Sequence, residues 1–211
     1  MLGNKFLVIL VKPLFINAIE IDKAMTQKLE SLLLDMNQRY QILFEKKEEG
    51  WYACSLPLQG NCMDMISYLH ILLKPYEALF TLGIATQEKS ENKARSQAYQ
   101  YAVNAMKQLE RQRKRRDYRY LYQMINVSNK YKAFMIAFNM MMQLECNIQN
   151  NWTQKQRDMI YYVYFEKQNQ KTTAERFNVS QPNVHQVLKK ANYVLYRDLM
   201  QSYQRILEDI I

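Results

Sequence analysis

The sequence predicts an α+β fold: an amino-terminal region of mixed strands and helices, then an all-helical carboxy-terminal third. Three observations predict it. Strand-like apolar runs are confined to the first part of the chain, while helical apolar spacing continues to the end. Only four Gly and four Pro occur in 211 residues, which leaves little room for a turn-rich all-β fold. The hydrophobic share, 48%, is enough to bury a core and is not that of a disordered chain.

The elements follow in order. Lys5 to Pro13 is near-continuously apolar and closes on Pro, the pattern of a central strand. Asp22 can cap a helix to about Tyr40, with Ile21, Met25, Leu29, Leu32, Leu33 and Met36 on one face. Gln41 to Glu48 and Trp51 to Leu56 form two short strands around Gly50, a hairpin. Met63 to Lys74 is a second helix, rich in Leu, Ile and Met and ended by Pro75. In Glu77 to Thr86 the apolar residues Ala78, Phe80, Leu82 and Ile84 alternate, as in a strand. Ser90 then opens a long polar helix to about Arg116.

This β-α-β-β-α-β order is the ferredoxin-like arrangement with an extra helix. Tyr118 to Asn126 fits either an added strand or a helical linker. Ser128 can cap a Met-rich helix to about Ile148, and everything after Trp152 reads as helical. The expected organisation is a ferredoxin-like domain over residues 1–126, a linker helix over 127–151 and a helical module over 152–211.

Several function classes find no support. Cys54, Cys62 and Cys146 are odd in number and scattered, and with only His70 and His185 they form no zinc-type ligand pairs. Reduced thiols in a cytoplasmic protein, with no metal and no cofactor, are expected. The run Phe6 to Val11 is far shorter than the about 20 apolar residues that span a bilayer. No membrane association is expected. Gly83 is an isolated glycine at a strand end rather than a phosphate-binding loop, and no nucleophile motif is present, so no enzyme is expected.

The net charge of +9 favours an anionic partner such as nucleic acid. Its distribution is uneven, with ten basic and three acidic residues between Lys89 and Arg119 but nine basic and six acidic from Trp152 onward. The densest run spans residues 111–116 and includes Arg113, Arg115 and Arg116. It is either a solvated helix end, where cations suit the negative end of the dipole, or an arm tracking DNA phosphates. With Tyr118, Tyr120 and Tyr122 following, single-strand stacking is a third reading.

The most informative stretch runs from Lys171 to Lys190. Thr172 or Thr173 can cap a short helix in which small Ala174 lets a second helix approach. Phe177 closes its apolar face, Asn178 tolerates a left-handed turn, and Val179 is the buried turn residue. Ser180 then caps a helix with Pro182 in its first turn, where a missing N–H costs nothing. Val184, Val187 and Leu188 mark its inward face, leaving Gln181, Asn183, Gln186, Lys189 and Lys190 outward, with His185 beside them. Gln and Asn can bond base edges in pairs, and Lys can neutralise phosphates. Lys189, Lys190 and Arg176 are the expected phosphate contacts. Polar residues at the helix start, with cations one turn later, fit a recognition helix entering the major groove of double-stranded DNA.

This order resembles the helix-turn-helix of sigma-factor region 4 and of related response-regulator output domains. The preceding segment, Trp152-Thr153-Gln154-Lys155-Gln156-Arg157, resembles the helix that leads into their motif. The whole element order is similar to the SatD family of bacterial proteins, whose amino-terminal half is similar to nucleotidyl-cyclase-type domains. That resemblance implies an Asp at the end of the first strand and a Gly-Asp-Glu-Phe-like hairpin. Here the strand ends Val11-Lys12-Pro13 and the hairpin reads Lys47-Glu48-Glu49-Gly50-Trp51-Tyr52. Two-metal phosphoryl chemistry needs carboxylates at both places, and Lys12 puts a positive charge at one of them.

The expectation is therefore a non-catalytic amino-terminal domain that dimerises or senses a ligand. It would be joined to a DNA-binding transcriptional module that can also contact RNA polymerase. Tyr193 to Leu207 carries surplus apolar helix surface and is a second candidate for dimerisation. The alternative is an adaptor whose helical module docks a protein, and a surviving nucleotide-binding function is a third.

Overall fold

The computed structural model describes residues 5–14, 19–48, 50–58, 61–86, 90–115 and 121–210, with the backbone alone for 19–22, 129 and 210. Five strands form one sheet: β1 (Lys5–Leu14), β2 (Glu45–Lys46), β3 (Tyr52–Pro57), β4 (Glu77–Thr86) and β5 (Gln123–Val127). The spatial order is β2-β3-β1-β4-β5. β1 pairs antiparallel with both β3 and β4, β2 pairs antiparallel with β3, and β5 runs parallel to β4.

The central place of β1 follows from its sequence. Phe6 to Val11 are all buried, and successive side chains serve opposite faces. Leu7, Ile9 and Val11 join one core cluster, and Val8 and Leu10 join another. The first cluster is covered by α1 (Ile19–Tyr40) and α2 (Cys62–Leu73), the second by α3 (Glu91–Arg113). In α1 the apolar face is the expected one, with Met25, Leu29, Leu33 and Met36 buried. Ser90 caps α3, its hydroxyl accepting from Lys93 N.

α3 lies unusually close to the sheet. A Cβ added to Gly83 would sit 1.9 Å from the Ala98 carbonyl oxygen and 2.5 Å from Ala102 N. Ala94, Ala98, Ala102 and Ala105 make the facing helix surface small enough for this approach, and all four are buried. Gly83 is therefore a packing glycine in the middle of β4 rather than a strand-end residue.

α2 is apolar nearly all round, with ten of its twelve residues buried. A helix of that kind must be covered on every side. The sheet covers one side. The carboxy-terminal helices α4 (Lys132–Asn150), α5 (Gln154–Tyr164), α6 (Gln170–Arg176), α7 (Gln181–Lys190) and α8 (Tyr193–Ile210) follow, and residues of α4, α5 and α8 complete the same cluster. Phe138, Met142, Met159, Ile160, Tyr196 and Tyr203 are its main contributors from this part of the chain.

Several local expectations are corrected. α1 begins at Ile19, so Asp22 lies within the helix and not at its cap. The first hairpin strand is only Glu45–Lys46. The ambiguous segment resolves as β5, because the open edge of β4 supplies a parallel partner from Phe80 to Ile84; Tyr118 and Tyr120 lie outside the described residues. α4 starts at Lys132 after a 3-10 turn over Asn129–Tyr131, and Ser128 contributes its carbonyl to Tyr131 N rather than a side-chain cap.

Candidate nucleic-acid interface

The interface is built from short capped helices. Thr153 opens α5 with a reciprocal cap: its hydroxyl accepts from Gln156 N at 3.3 Å, and Gln156 Oε1 accepts from Thr153 N at 2.8 Å. Asn169, not Thr172 or Thr173, caps α6, its Oδ1 accepting from Thr172 N at 2.9 Å. Thr173 is fully buried inside the helix, and its hydroxyl donates to Asn169 O at 2.7 Å. The correction is physical: an Asn three residues ahead reaches the orphan N–H groups, and the hydroxyl of Thr173 is left to bond back one turn.

The turn runs as the residues dictate. Asn178 takes φ +50°, and Val179 N donates to Ala174 O at 3.0 Å, closing the end of α6. Ala174 is buried at the α6–α7 crossing, and Phe177 packs edge-on to Tyr162 with ring centroids 6.1 Å apart. Ser180 caps α7, its hydroxyl accepting from Asn183 N at 3.4 Å, with Pro182 in the first turn. Val184 and Leu188 are buried, and Val187 is half-buried. Gln181, Asn183, His185, Gln186, Lys189 and Lys190 are all exposed. With its side chains an α-helix is about 10–12 Å across, which fits a major groove about 12 Å wide.

α7 is fixed at its far end by a residue whose role the sequence did not reveal. The buried Trp152 donates its indole Nε1–H to the carbonyl of Ala191, the carboxy-terminal cap of α7, at 2.7 Å. Its ring meets Tyr196 edge-on at 5.0 Å. Lys171 is a further exposed cation, in the first turn of α6. Arg176 is exposed at the end of α6.

The cations of the 111–116 run divide. Arg113 is turned inward: Nη1 donates to Leu121 O at 2.5 Å, Nη2 lies 3.8 Å from Glu77 Oε2, and the guanidinium stacks on Tyr122 at 4.5 Å. It closes the junction of α3, β4 and β5 and is withdrawn from any phosphate-tracking arm. Arg115 is exposed, and Arg116 lies outside the described residues.

The module is docked firmly on the amino-terminal core. Tyr164 donates to Asp64 Oδ1 at 2.8 Å, and Ser67 Oγ and the Tyr196 hydroxyl lie 2.7 Å apart. Arg39 reaches Glu166 Oε1 at 3.1 Å, and Tyr68 packs against Tyr161 and Phe165. Gln149 Nε2 donates to Ser67 Oγ at 2.7 Å and to Glu145 Oε1 at 2.8 Å. The centre of this seam, Ser67, Glu145 and Gln149, is buried, and among the described residues Glu145 Oε2, the Tyr203 hydroxyl and both nitrogens of His70 make no hydrogen bond within 3.5 Å.

Elsewhere, Lys12 pairs with Glu110 and lies 5.6 Å above the Trp51 ring. The three thiols are free and buried, and burial pushes each up to about 12. Among the described residues no group of three or more His, Cys, Asp or Glu could hold a metal ion, and no helix is long and apolar enough to cross a membrane.

No curated protein matches this sequence. Among solved structures, a regulator of polyketide synthase expression from Bifidobacterium adolescentis aligns over 99% of this chain and 80% of its own, at 9% identity and a TM-score of 0.30. The helical module gives the definite match: residues 153–197, from the cap of α5 into α8, are similar to sigma-70, region 4, and carry its helix-turn-helix.

Proposed function

We propose that this protein is a DNA-binding transcriptional regulator that reads the major groove with α7. The observation that carries this reading is the outward face of α7. It presents Gln181, Asn183, Gln186, Lys189 and Lys190 together, free of acidic residues, on a helix held by Ser180 at one end and Trp152 at the other. Gln181, Asn183 and Gln186 read base edges; Lys189, Lys190, His185 and Arg176 lie against phosphates. The match to sigma-70 region 4 supports both a DNA target and a contact with RNA polymerase.

In this reading the amino-terminal part does no catalysis. Its antiparallel order β2-β3-β1-β4 supports a ferredoxin-like sheet extended by β5, as in a SatD-like protein. Lys12, engaged by Glu110, stands where a metal-binding carboxylate would be needed. An apolar stripe on α4, Ile136, Met140 and Leu144, is exposed at helical spacing and supports a homodimer. A cytoplasmic location follows from the DNA target. The adaptor reading keeps one observation in its favour: Val194 and Leu195, at the start of α8, are exposed apolar residues beside α7.

Fluorescence anisotropy against a pool of random duplexes at several salt concentrations tests the proposal. Neutralising about six phosphates gives a log–log salt slope near −5. Lys189→Ala should weaken all sequences alike and reduce that slope by about 1, whereas Gln186→Ala should relax sequence preference. Salt-independent binding, or equal loss on every sequence from both changes, would overturn the assignment.

A further inference from the structure

A small cleft opens at the carboxyl ends of the parallel pair β4 and β5, the place where open sheets with parallel strands hold ligands. It is lined by Ile84, Thr86, Val127 and Ser128 from the strand ends and Tyr101 from α3, with Lys5 and Lys130 as its charged residues. Lys5, opposite Thr86 in the β1–β4 register, is only 7% exposed. A lysine this buried is normally paired, because an uncompensated ammonium is costly to remove from water. Here no carboxylate of the described residues lies within ion-pair distance of Lys5 or Lys130. Instead both ammonium groups lie near the same ring, 6.0 Å and 5.6 Å from the centroid of Tyr131. Tyr101 accepts from Gln97 Nε2 at 2.9 Å, which leaves its own hydroxyl proton to donate.

We propose that this cleft is a binding site for a small dianion, a phosphate or a short dicarboxylate, held between Lys5 and Lys130. The geometry sets the size. The cavity volume is about 80 Å³, and at about 10–15 Å³ per water-sized centre it takes a ligand of roughly five to eight non-hydrogen atoms. The two cations set the charge, and the strand-end apolar atoms of Ile84 and Val127 exclude a larger hydrated ion. The site is separate from the DNA-reading helix, and its existence does not depend on that function. Its position has a consequence for the fold. Tyr131 and Phe134 line the cleft and begin α4, and the rings of Phe134, Phe138 and Tyr203 follow one another at 5.3 Å and 4.8 Å into α8.

Thermal unfolding of the full chain in chloride buffer, with inorganic phosphate or succinate added at matched ionic strength, tests the site. A saturable rise in Tm with one of the two is expected, and which one responds identifies the oxyanion. Without ligand, Lys5→Met should unfold at an equal or higher temperature, since it keeps the stem and removes an ammonium that has no carboxylate partner among the described residues. It should weaken phosphate or succinate binding by about tenfold or more. Lys130→Ala, an exposed change that leaves the core intact, should also weaken it. A rise in Tm that fails to saturate, that chloride reproduces, or that persists unchanged in both variants would overturn the proposal.

Discussion

Replacing Glu145 with Gln isolates the energetics of the seam between the sheet domain and the helix-turn-helix. Glu145 is fully buried, and burial raises its carboxyl from 4.5 to about 7. Its folded state therefore holds a proton that the unfolded chain releases at lower pH. The contribution to stability is full below pH 4.5 and is lost as pH rises to about 7. At about 1.4 kcal/mol per pH unit the loss is about 3 kcal/mol, constant above pH 7. His70, buried in the same cluster, behaves oppositely: burial, then the nearby Lys74 and Arg157, lower it from 6.5 to about 3. Its contribution is present above pH 6.5 and is lost as pH falls toward 3. Between pH 4.5 and 6.5 the two slopes nearly cancel.

Glu145→Gln removes one slope and leaves the other. An amide can still accept the Gln149 N–H, so the packing survives. Urea unfolding at pH 4.5, 5.5, 6.5 and 8 should show the variant gaining on the parent by about 3 kcal/mol across the series, most of it before pH 7. All other titrating groups drop out of the difference. A difference that stays constant with pH would refute the assignment of a buried, high-pKa acid to this seam.

Two further substitutions probe the parts that position the interface. Gly83→Ala should destabilise the protein by about 3 kcal/mol or more, because the added methyl meets the backbone of α3 at Ala98 and Ala102 and not a movable side chain; an unchanged urea midpoint would mean that α3 does not lie this close to β4. Trp152→Phe removes the donor to the Ala191 carbonyl and part of a buried ring, at a cost of about 2–3 kcal/mol, with weaker DNA binding as the end of α7 loosens. Full stability together with unchanged affinity would remove Trp152 from its positioning role.

Some of this was legible in the sequence for definite reasons. β1 and β4 announced themselves by apolar runs, and α3 and α7 by caps that the structure uses, Ser90 and Ser180. The outward face of α7 followed from the 3.6-residue period that buries Val184 and Leu188. What failed depended on partners distant in the chain. Tyr118, Tyr120, Tyr122 and Met124, alternating with Arg119, Leu121 and Gln123, fit either element until β4 supplied a parallel edge. Arg113 read as part of a surface charge run because Glu77, which draws it inward, lies 36 residues away. Lys5 reads only as the start of an apolar strand, and it is the tertiary fold that buries it with no carboxylate partner among the described residues. At α6 the failure was local: Asn169, Thr172 and Thr173 are all competent caps, and propensity alone does not rank them.

The docking of the helical module has a mechanical consequence. On a flexible tether, each α7 of a dimer could find its own half-site, whatever the other parts of the protein did. Here α2 is covered by α5 and α8 as well as by the sheet, and Asp64, Ser67 and Tyr68 each bond or pack across the boundary. The direction of α7 is therefore set by the whole fold. If two copies associate through the Ile136, Met140 and Leu144 stripe, the separation of their recognition helices is a property of α4, the same helix that begins at the Lys5 cleft. A half-site spacing of about 34 Å tolerates little error, so a shift of α4 by a fraction of a helical turn alters affinity without touching α7. In such a dimer, regulation of DNA binding would act through α4 rather than at the bases.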